Sequence, residues 1–210
     1  DQWQTIIIFL SIASMVLGAV AAIGQNNIKR LMAYSSIGHM GYALAGLSTG
    51  TNAGIQSTII YLTIYLVMNL GAFGCIFLMK RENIFYENIK DLSGLSKNHP
   101  LLALSFLIIL FSLAGIPPLA GFFAKFYIFM AVIEVKMYIL AIIGLVTTVI
   151  STFYYLRIIK IIYFERPKEP FEKSYDWGLK ISLTFSSLII LIYFIYPSIL
   201  TNAVSSIVIF

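Results

Sequence analysis

The sequence predicts an all-α fold, a polytopic bundle of membrane-spanning helices. Its 210 residues are 60% hydrophobic and only 11% charged, with a mean hydropathy of +0.91, whereas a soluble domain of this size needs far more polar surface. Six apolar segments are each long enough to cross about 30 Å of hydrocarbon at about 1.5 Å per residue. The basic residues gather between these segments, so the net charge of +5 indicates membrane topology and not nucleic-acid binding.

The fourth of the six segments is too long for one straight span. The segments are Trp3–Ile23, Leu31–Thr49, Ile55–Met79, Leu101–Ile133, Met137–Ile159 and Leu179–Leu200. A continuous helix over the fourth would be about 50 Å long. Gly115, Pro117, Pro118 and Gly121 lie inside it and favour a break into two half-helices. The irregular backbone must then be buried in protein or line a wet cavity, because lipid cannot satisfy its polar groups.

The basic residues predict the orientation of the bundle. They follow the first, third and fifth segments, as Lys29 and Arg30, then Lys80, Arg81, Lys90 and Lys97, then Arg157, Lys160, Arg166, Lys168 and Lys173. The positive-inside rule places these ends in the cytoplasm or matrix, with Asp1 and the C-terminus on the outer side. We expect the longer connections 80–100 and 160–178 to be solvated. Lys29 and Arg30 indicate either topology and headgroup contact or a site of proton uptake.

The chain has few groups for cofactor chemistry. Its single cysteine, Cys75, excludes an intramolecular disulfide and is typical of an apolar packing residue, and zinc or haem spacings are absent. We therefore expect no metal, cofactor or electron-transfer site in this chain. Because the chain starts at Asp1 without a methionine, we expect an N-terminal portion to be encoded separately or removed.

Lys125 is the first candidate for function. A lysine within a lipid-embedded helix costs roughly 3 kcal/mol or more, and this one follows the predicted break by about one helical turn. A buried amine that holds or releases a proton beside a hydratable break is suited to a proton relay. The alternative is a structural lysine that snorkels to the interface or pairs with a fixed partner.

His39 and two stripes of polar residues complete the candidate site. Histidine titrates near neutrality and passes a proton through either ring nitrogen, although a lone membrane histidine often only joins two helices. Spacings of three and four residues place the polar side chains of each stripe on one helix face. The first stripe contains Tyr61, Tyr65 and Asn69 with Thr58; the second contains Thr148 and Ser151 with Thr152 and Tyr155. These groups either hold a water chain or join helices.

Two long motifs resemble the antiporter-like subunits of respiratory complex I. Gln25–Tyr42 reads QNNIKRLMAYSSIGHMGY and resembles a signature of that family, and Ser112–Tyr127 reads SLAGIPPLAGFFAKFY and resembles its broken helix. Within the family, Asn69–Phe73 and Tyr154–Arg157 are similar to the subunit N group, called subunit 2 in mitochondria. The resemblance covers essentially the whole chain.

The resemblance implies a fold of fourteen core helices with two inverted five-helix repeats. Residues 1–160 would form the second repeat, a proton-translocating half-channel; 161–178 an inner-side loop; and 179–210 the final helix and tail. Lys125 would belong to the half-channel toward the outer side and His39 to the central polar axis. The first repeat is missing, so a separate N-terminal part of the same subunit is expected to supply it.

The resemblance also implies a function and partners. The chain would be a non-redox part of NADH:ubiquinone reductase, translocating protons while other subunits hold FMN, iron–sulfur clusters and quinone. Its partners would be the neighbouring antiporter-like subunit, the small subunit of the K type and lipids, in a bacterial plasma membrane or mitochondrial inner membrane. Two alternatives remain. One is a subunit of a multisubunit Na+/H+ antiporter or membrane-bound hydrogenase, and the other is a structural scaffold in which Lys125 forms a fixed ion pair.

Overall fold

The computed structural model describes residues 2–82, 84–172 and 176–207, so the predictions made for Asp1, Lys173 and the extreme C-terminus lie outside it. The described chain is all-α apart from one short hairpin, which confirms the predicted class. Its helices are α1 Gln2–Ile23, α2 Ile28–Ser48, α3 Asn52–Phe77, α4 Leu95–Asn98, α5 Pro100–Ala114, α6 Ala120–Glu134, α7 Tyr138–Phe164, α8 Trp177–Ile195 and α9 Ser198–Ile207.

Four of these helices are long and apolar enough to cross a membrane by themselves. They are α1, α3, α7 and α8, with 22, 26, 27 and 19 residues. Several such helices in one chain support a multi-pass membrane protein. Helix α2 has 21 residues but is less apolar, since it contains serines, a histidine and two cations. Helices α5 and α6 have 15 residues each.

Small residues let α1 and α2 approach closely. A Cβ added at Gly18 would collide with the backbone of Gly38 and Tyr34, and one added at Gly41 would lie 2.6 Å from Met15 Cγ. The Ser11 hydroxyl crosses the same interface and donates to the carbonyl of Gly41 at 2.7 Å. Close backbone approach with interhelical hydrogen bonds is the packing mode of membrane helices. Helix α3 packs against α2, α5, α6 and α8, which places it at the centre of the bundle.

A non-helical segment, 115–119, separates α5 from α6. Gly115 adopts φ +83°, which glycine accommodates without steric cost. The N–H of Gly115 donates to the carbonyl of Ser112 at 2.9 Å and that of Ile116 to Phe111 at 3.0 Å, the hydrogen-bond pattern of a Schellman cap. Pro117 and Pro118 follow within the segment. The fourth predicted break residue, Gly121, lies in the first turn of α6.

Gly121 has a packing function in this structure. A Cβ there would collide with the carbonyl of Ser112, so a larger residue would push α6 away from α5. Its N–H donates to the Ser112 hydroxyl at 3.0 Å. This hydrogen bond satisfies one of the free N–H groups at the start of α6.

The connection between α3 and α5 is exposed along much of its length, as predicted, but it is also folded and anchored by buried apolar residues. Strands β1, Lys80–Arg81, and β2, Ile84–Phe85, form an antiparallel hairpin, and residues 89–92 form a 3-10 turn. Ile89, Leu92 and Leu95 are buried, with 1%, 0% and 3% of their surfaces exposed. Their spacing of three residues turns all three toward the bundle, so apolar anchors hold this connection against the helix ends.

The last predicted segment, Leu179–Leu200, is two helices in the structure. Helix α8 ends at Ile195 and α9 begins at Ser198, with Tyr196 and Pro197 between them. Pro197 has no N–H to continue the helix and disfavours helical geometry at the residue before it. The prediction of one continuous segment up to Leu200 was therefore wrong, because the membrane-length helix ends at Ile195. The division of the chain into 1–160, 161–178 and 179–210 stays a prediction.

Candidate functional site

Lys125 lies in the second turn of α6 and is 4% exposed. Its Nζ donates to the carbonyls of Leu113 and Ala114 at 3.1 and 3.4 Å. These are among the last carbonyls of α5, which have no partner within their own helix and carry the negative end of its dipole. The broken geometry thus supplies Lys125 with acceptors that a continuous helix would have used for itself.

No carboxylate pairs with Lys125 in the part of the chain that the structure describes. The ion pairs found there join Lys29 to Glu87, Arg81 to Glu169 and Lys168 to Asp91. Lys125 instead points its Nζ at the ring of Tyr42, 5.1 Å from the centroid, within the range of a cation–π contact. A fixed ion pair inside this chain, the scaffold alternative, receives no support from this geometry.

Gly115 leaves the space that the Lys125 side chain uses. A Cβ at Gly115 would lie 3.2 Å from Lys125 Cδ and 3.4 Å from Nζ. The same glycine therefore ends α5 with a positive φ and admits the lysine to the exposed carbonyls. Helix break and lysine are one structural unit.

His39 is buried in α2 between two tyrosine hydroxyls. The Tyr61 hydroxyl lies 2.6 Å from Nδ1, and the Tyr155 hydroxyl lies 3.2 Å from Nε2. The ring of Tyr65 stacks on the imidazole at a centroid distance of 4.9 Å. Because a hydroxyl either donates or accepts, both neutral tautomers of His39 find partners here. This arrangement suits a group that receives a proton at one nitrogen and gives it from the other.

Hydroxyl groups continue from His39 toward the start of α2. The hydroxyl of Tyr155 hydrogen-bonds to Ser35, and that of Tyr65 donates to Ser36 Oγ at 2.8 Å. Ser36 in turn donates to the Met32 carbonyl at 2.9 Å. A row of polar groups therefore leads from the middle of α2 toward the end that bears Lys29.

Tyr42 contacts both His39 and Lys125. Its ring centroid is 6.3 Å from that of His39, and the same ring faces Lys125. Its hydroxyl lies 3.1 Å from the carbonyl of Gly144 and 3.0 and 2.8 Å from the hydroxyls of Thr147 and Thr148. The hydroxyl is thus anchored on α7, and the ring stands between the two candidate proton carriers.

A second route passes through α7. The hydroxyl of Thr152 lies 3.4 Å from the carbonyl of Ala114, which Lys125 also contacts, and donates to the carbonyl of Thr148 at 2.9 Å. Thr148 in turn contacts the Tyr42 hydroxyl. Side chains of α7 therefore link the two ends of the site around the Tyr42 ring.

The structure brings most of the predicted residues together. Tyr61 and Tyr65 contact His39, Thr148 anchors the Tyr42 hydroxyl, and Ser151 is buried on α7. Asn69 lies apart. Its Oδ1 is buried without a hydrogen-bond partner among the described residues, and the side chain lines a groove of about 450 Å³ between α3 and α8.

The sequence alone did not single out Tyr42, Thr147, Ser35 and Ser36 as site residues, although three of them lie within the Gln25–Tyr42 motif. One signal was available, because Ser35, His39 and Tyr42 follow one another at spacings of four and three residues on one face of α2. Among the described residues, no group of three or more His, Cys, Asp or Glu side chains is placed to hold a metal ion.

Residues 1–151 match the family described as NADH:quinone oxidoreductase/Mrp antiporter, transmembrane. The chain belongs to this family. It is 70% identical over 207 residues to the NADH-quinone oxidoreductase subunit N of Pelagibacter ubique, an alignment that covers 99% of this chain and 44% of that protein. It is 54% identical over 198 residues to the subunit N of Parvibaculum lavamentivorans, covering 94% of this chain and 41% of that one. The chain thus spans less than half the length of these family members.

Solved structures agree with the family assignment. A chain of respiratory complex I from Thermus thermophilus with bound aureothin superposes with a TM-score of 0.79 at 30% identity, over 95% of this chain and 45% of that one. A chain of the Mrp complex from Dietzia sp. DQ12-45-1b gives a TM-score of 0.89 at 20% identity, over 98% and 47%. The second likeness concerns the fold alone. The chain therefore shares its fold with the Mrp chain, and its sequence identity is higher to the NADH-quinone oxidoreductase subunits N.

Proposed function

We propose that this chain is the C-terminal part of a subunit N-type membrane subunit of respiratory complex I and that it carries one proton half-channel. The observation that carries the proposal is the environment of Lys125. Its amine is buried, lacks a carboxylate partner in the described chain, and rests on free carbonyls at the end of α5 beside Tyr42. A charge balanced by dipoles instead of a fixed counter-ion is suited to reversible protonation.

The proposal includes six membrane crossings. Helix α2 would supply the second, and α5 with α6 the fourth, in addition to the four spans recognised by length and hydropathy. A 15-residue helix is about 22 Å long, so neither α5 nor α6 would cross about 30 Å of hydrocarbon alone. Joined through segment 115–119, they would cross it as one broken span with Lys125 near its middle.

In the proposed mechanism, His39 and its tyrosines accept a proton from the central polar axis. Rearrangement of Tyr42, or water beside Thr148 and Thr152, then connects His39 to Lys125. Lys125 holds the proton against the carbonyls of α5 until a change at these carbonyls releases it toward the outer side. Electron transfer from NADH to quinone, with its FMN and iron–sulfur clusters, would take place in other subunits and would drive these changes.

The proposed setting is a bacterial plasma membrane, since the similar subunits N named above come from bacteria. The partners would be the preceding part of the same subunit, a neighbouring antiporter-like subunit, a small subunit of the K type, and lipids. The second candidate function is ion exchange in an Mrp-type antiporter, which is favoured by the likeness of the folds.

Purification of the full-length subunit from its own membrane distinguishes these functions. An affinity tag on the subunit is expected to recover NADH dehydrogenase subunits, NADH:quinone oxidoreduction and, after reconstitution into vesicles, proton uptake driven by NADH. Recovery of antiporter subunits with Na+-dependent proton exchange and no NADH oxidation would contradict the proposal and support the second candidate.

A further inference from the structure

The hydroxyl of Ser112 joins three helices at the break between α5 and α6. Ser112 lies in the last turn of α5 and is fully buried, with 0% of its surface exposed. Its Oγ accepts a hydrogen bond from the N–H of Gly121 on α6 at 3.0 Å and donates to Met68 Sδ on α3 at 3.0 Å. This hydroxyl takes part in no step of the proposed mechanism.

These partners are unusual for a serine within a helix. Such a serine commonly donates to the carbonyl four residues earlier in its own helix, as Ser105 does to Leu101 at 3.1 Å. The Ser112 hydroxyl is instead directed at two neighbouring helices. A thioether is a weak acceptor, so the contact with Met68 mainly orients the hydroxyl, and the hydrogen bond from Gly121 is the stronger connection.

The Ser112–Gly121 hydrogen bond lies beside both parts of the Lys125 site. On α5, the carbonyls that accept from Lys125 belong to the next two residues, Leu113 and Ala114. On α6, Gly121 precedes Lys125 by four residues, about one helical turn, so the two lie on the same face. The bond thus holds the helix that carries the donor against the helix that carries the acceptors.

Few other hydrogen bonds hold these two half-helices together. Apart from the contacts of Lys125 itself, the bond from Gly121 to Ser112 is the one hydrogen bond that joins α5 directly to α6 in the part of the chain that the structure describes. The bonds of the cap at Gly115 and Ile116 return to α5 and leave α6 free. The position of α6 relative to the end of α5 therefore depends on this hydroxyl.

Lys125 is sensitive to a shift between the two half-helices. Its Nζ lies 3.1 Å from one carbonyl and 3.4 Å from the other. The longer contact is close to the limit of about 3.5 Å for a hydrogen bond, so a small displacement of α6 would lose it. Because the described chain offers this amine no carboxylate, its protonated form depends on these dipoles.

We propose that Ser112 is a positioning residue for proton transfer by Lys125. Its hydroxyl holds the start of α6 at the distance that keeps both carbonyls of α5 at the amine, and Met68 orients this hydroxyl from the central helix α3. Ser112 acts only through Lys125, so its assignment rests on the proposed function.

Ser112→Ala in the full-length subunit of the assembled complex tests this assignment. The variant keeps the Cβ and removes the hydroxyl, so α6 loses its hydrogen bond to α5. Proton transfer through this half-channel is expected to slow about fivefold, the change that corresponds to one hydrogen bond of ordinary strength. Ser112→Thr keeps the hydroxyl and is expected to retain the parent rate. NADH-driven proton uptake by reconstituted vesicles, per electron transferred, provides the readout.

Two further variants of α5 separate positioning from stability. Ser105→Ala removes a hydroxyl that donates within α5 and is the matched control, expected to leave proton uptake unchanged. Ala103→Gly, at a buried position about three turns before the break, weakens α5 without touching the joint. It is expected to lower the thermal midpoint of the complex while proton uptake per electron stays at the parent value.

Three results would each overturn the positioning by Ser112. They are parent coupling in Ser112→Ala, equal loss of coupling in Ala103→Gly and Ser112→Ala at equal midpoints, and loss of coupling in Ser112→Thr at an unchanged midpoint. Lys125→Ala in the same series distinguishes this failure from that of the proposed function. Uncoupling by Lys125→Ala with parent coupling in Ser112→Ala removes only the positioning, whereas parent coupling in both variants removes the proposed function as well.

Discussion

The cations in and near the connections differ from the buried Lys125 in what surrounds them. Lys29 and Lys168, in the basic connections, lie 2.6 and 3.0 Å from the carboxylates of Glu87 and Asp91. Arg157 donates to the carbonyl of Ile23 and the amide oxygen of Asn26 at 3.2 and 3.0 Å. Lys125 is buried and meets only carbonyl dipoles and an aromatic face. The cations of the connections contact water, a polar group or a counter-ion, whereas Lys125 has no counter-ion among the described residues.

The difference separates a permanent charge, which water and a counter-ion stabilise, from a conditional charge, which depends on the protein dipoles around it. An exposed lysine beside a carboxylate is surrounded by water and a counter-ion, and the pair contributes little to stability. A buried lysine without a counter-ion depends on each dipole around it, so a small displacement of α5 or Tyr42 changes its affinity for a proton. The comparison explains why the Lys125 site, and not the more numerous cations of the connections, is the candidate for proton transfer.

Removal of Lys125 is the strongest test of this comparison. In an assembled complex, Lys125→Ala is expected to slow proton transfer through this half-channel on the order of 100-fold, the usual contribution of a positioned acid–base group. Lys125→Arg is also expected to impair transfer, because arginine stays charged. NADH-driven proton uptake by reconstituted vesicles, measured per electron transferred, provides the readout.

The control for Lys125 is an exposed cation near the end of α7. Lys160→Ala, at an exposed position near the end of α7, is expected to leave proton uptake per electron unchanged. Full coupling in an assembled Lys125→Ala complex would remove Lys125 from the mechanism and revive the structural scaffold as its explanation.

Gly115 tests whether the helix break and the lysine form one unit. Gly115→Ala forces a side chain into φ +83° at a cost of about 1–2 kcal/mol and places a Cβ 3.2 Å from Lys125 Cδ. We expect a lower thermal inactivation midpoint together with lower proton uptake. At Gly24 an added Cβ would have no neighbouring atom within 4 Å. Gly24→Ala is therefore expected to leave both the midpoint and the proton uptake unchanged, since such substitutions usually alter the free energy of unfolding by no more than about 0.5 kcal/mol. An uncoupled complex of unchanged stability would separate the two functions of Gly115.

Tyr42 tests what joins the two halves of the site. Tyr42→Phe keeps the ring over Lys125 and removes the hydroxyl contacts to α7. This is expected to lower the free energy of unfolding by about 1 kcal/mol. Tyr42→Leu also removes the cation–π contact, worth about another 1 kcal/mol, and opens the space between His39 and Lys125. We expect near-normal coupling in the first variant and reduced coupling with proton leak in the second. Equal loss in both would assign transfer to the hydroxyl itself.

Much of the fold was predictable because apolar runs of membrane length leave few alternatives. The interruption of the fourth segment followed from Gly115, Pro117 and Pro118, whose effects are local. Lys125 and His39 stood out because titratable groups are rare and costly in such runs. These inferences depend on residue type and sequence distance alone.

The contacts of the site were not predictable, because they depend on how the helices rotate about their axes. Lys125 rests on carbonyls 11 and 12 residues earlier, which become available only when α5 ends in a left-handed glycine. Tyr42 gave no stronger signal than the other tyrosines until α6 and α7 were packed around it. Connection 80–100 is exposed along much of its length, as predicted, but its anchoring was missed because its charges are conspicuous, whereas Ile89, Leu92 and Leu95 hold it through burial.

Glu87 supplies the smallest expected effect and tests the permanent-charge side of the comparison. Hydrogen bonds from Lys29 and then Asn27 lower the pKa of its carboxyl. A lowered pKa in the folded state means that the carboxylate stabilises the fold above the unfolded-state pKa of about 4.3 and loses this contribution as the pH falls through the folded-state value. Glu87→Gln is therefore expected to lower the thermal midpoint of the complex slightly at about pH 6–7, and the difference from the parent is expected to vanish in acid.

The matched control is Glu134→Gln, which changes an exposed carboxylate at the end of α6. High salt should shrink the Glu87 difference, because exposed pairs are screened. Reduced proton uptake in Glu87→Gln with an unchanged midpoint would contradict the comparison, since an exposed ion pair would then affect proton transfer as Lys125 is expected to do.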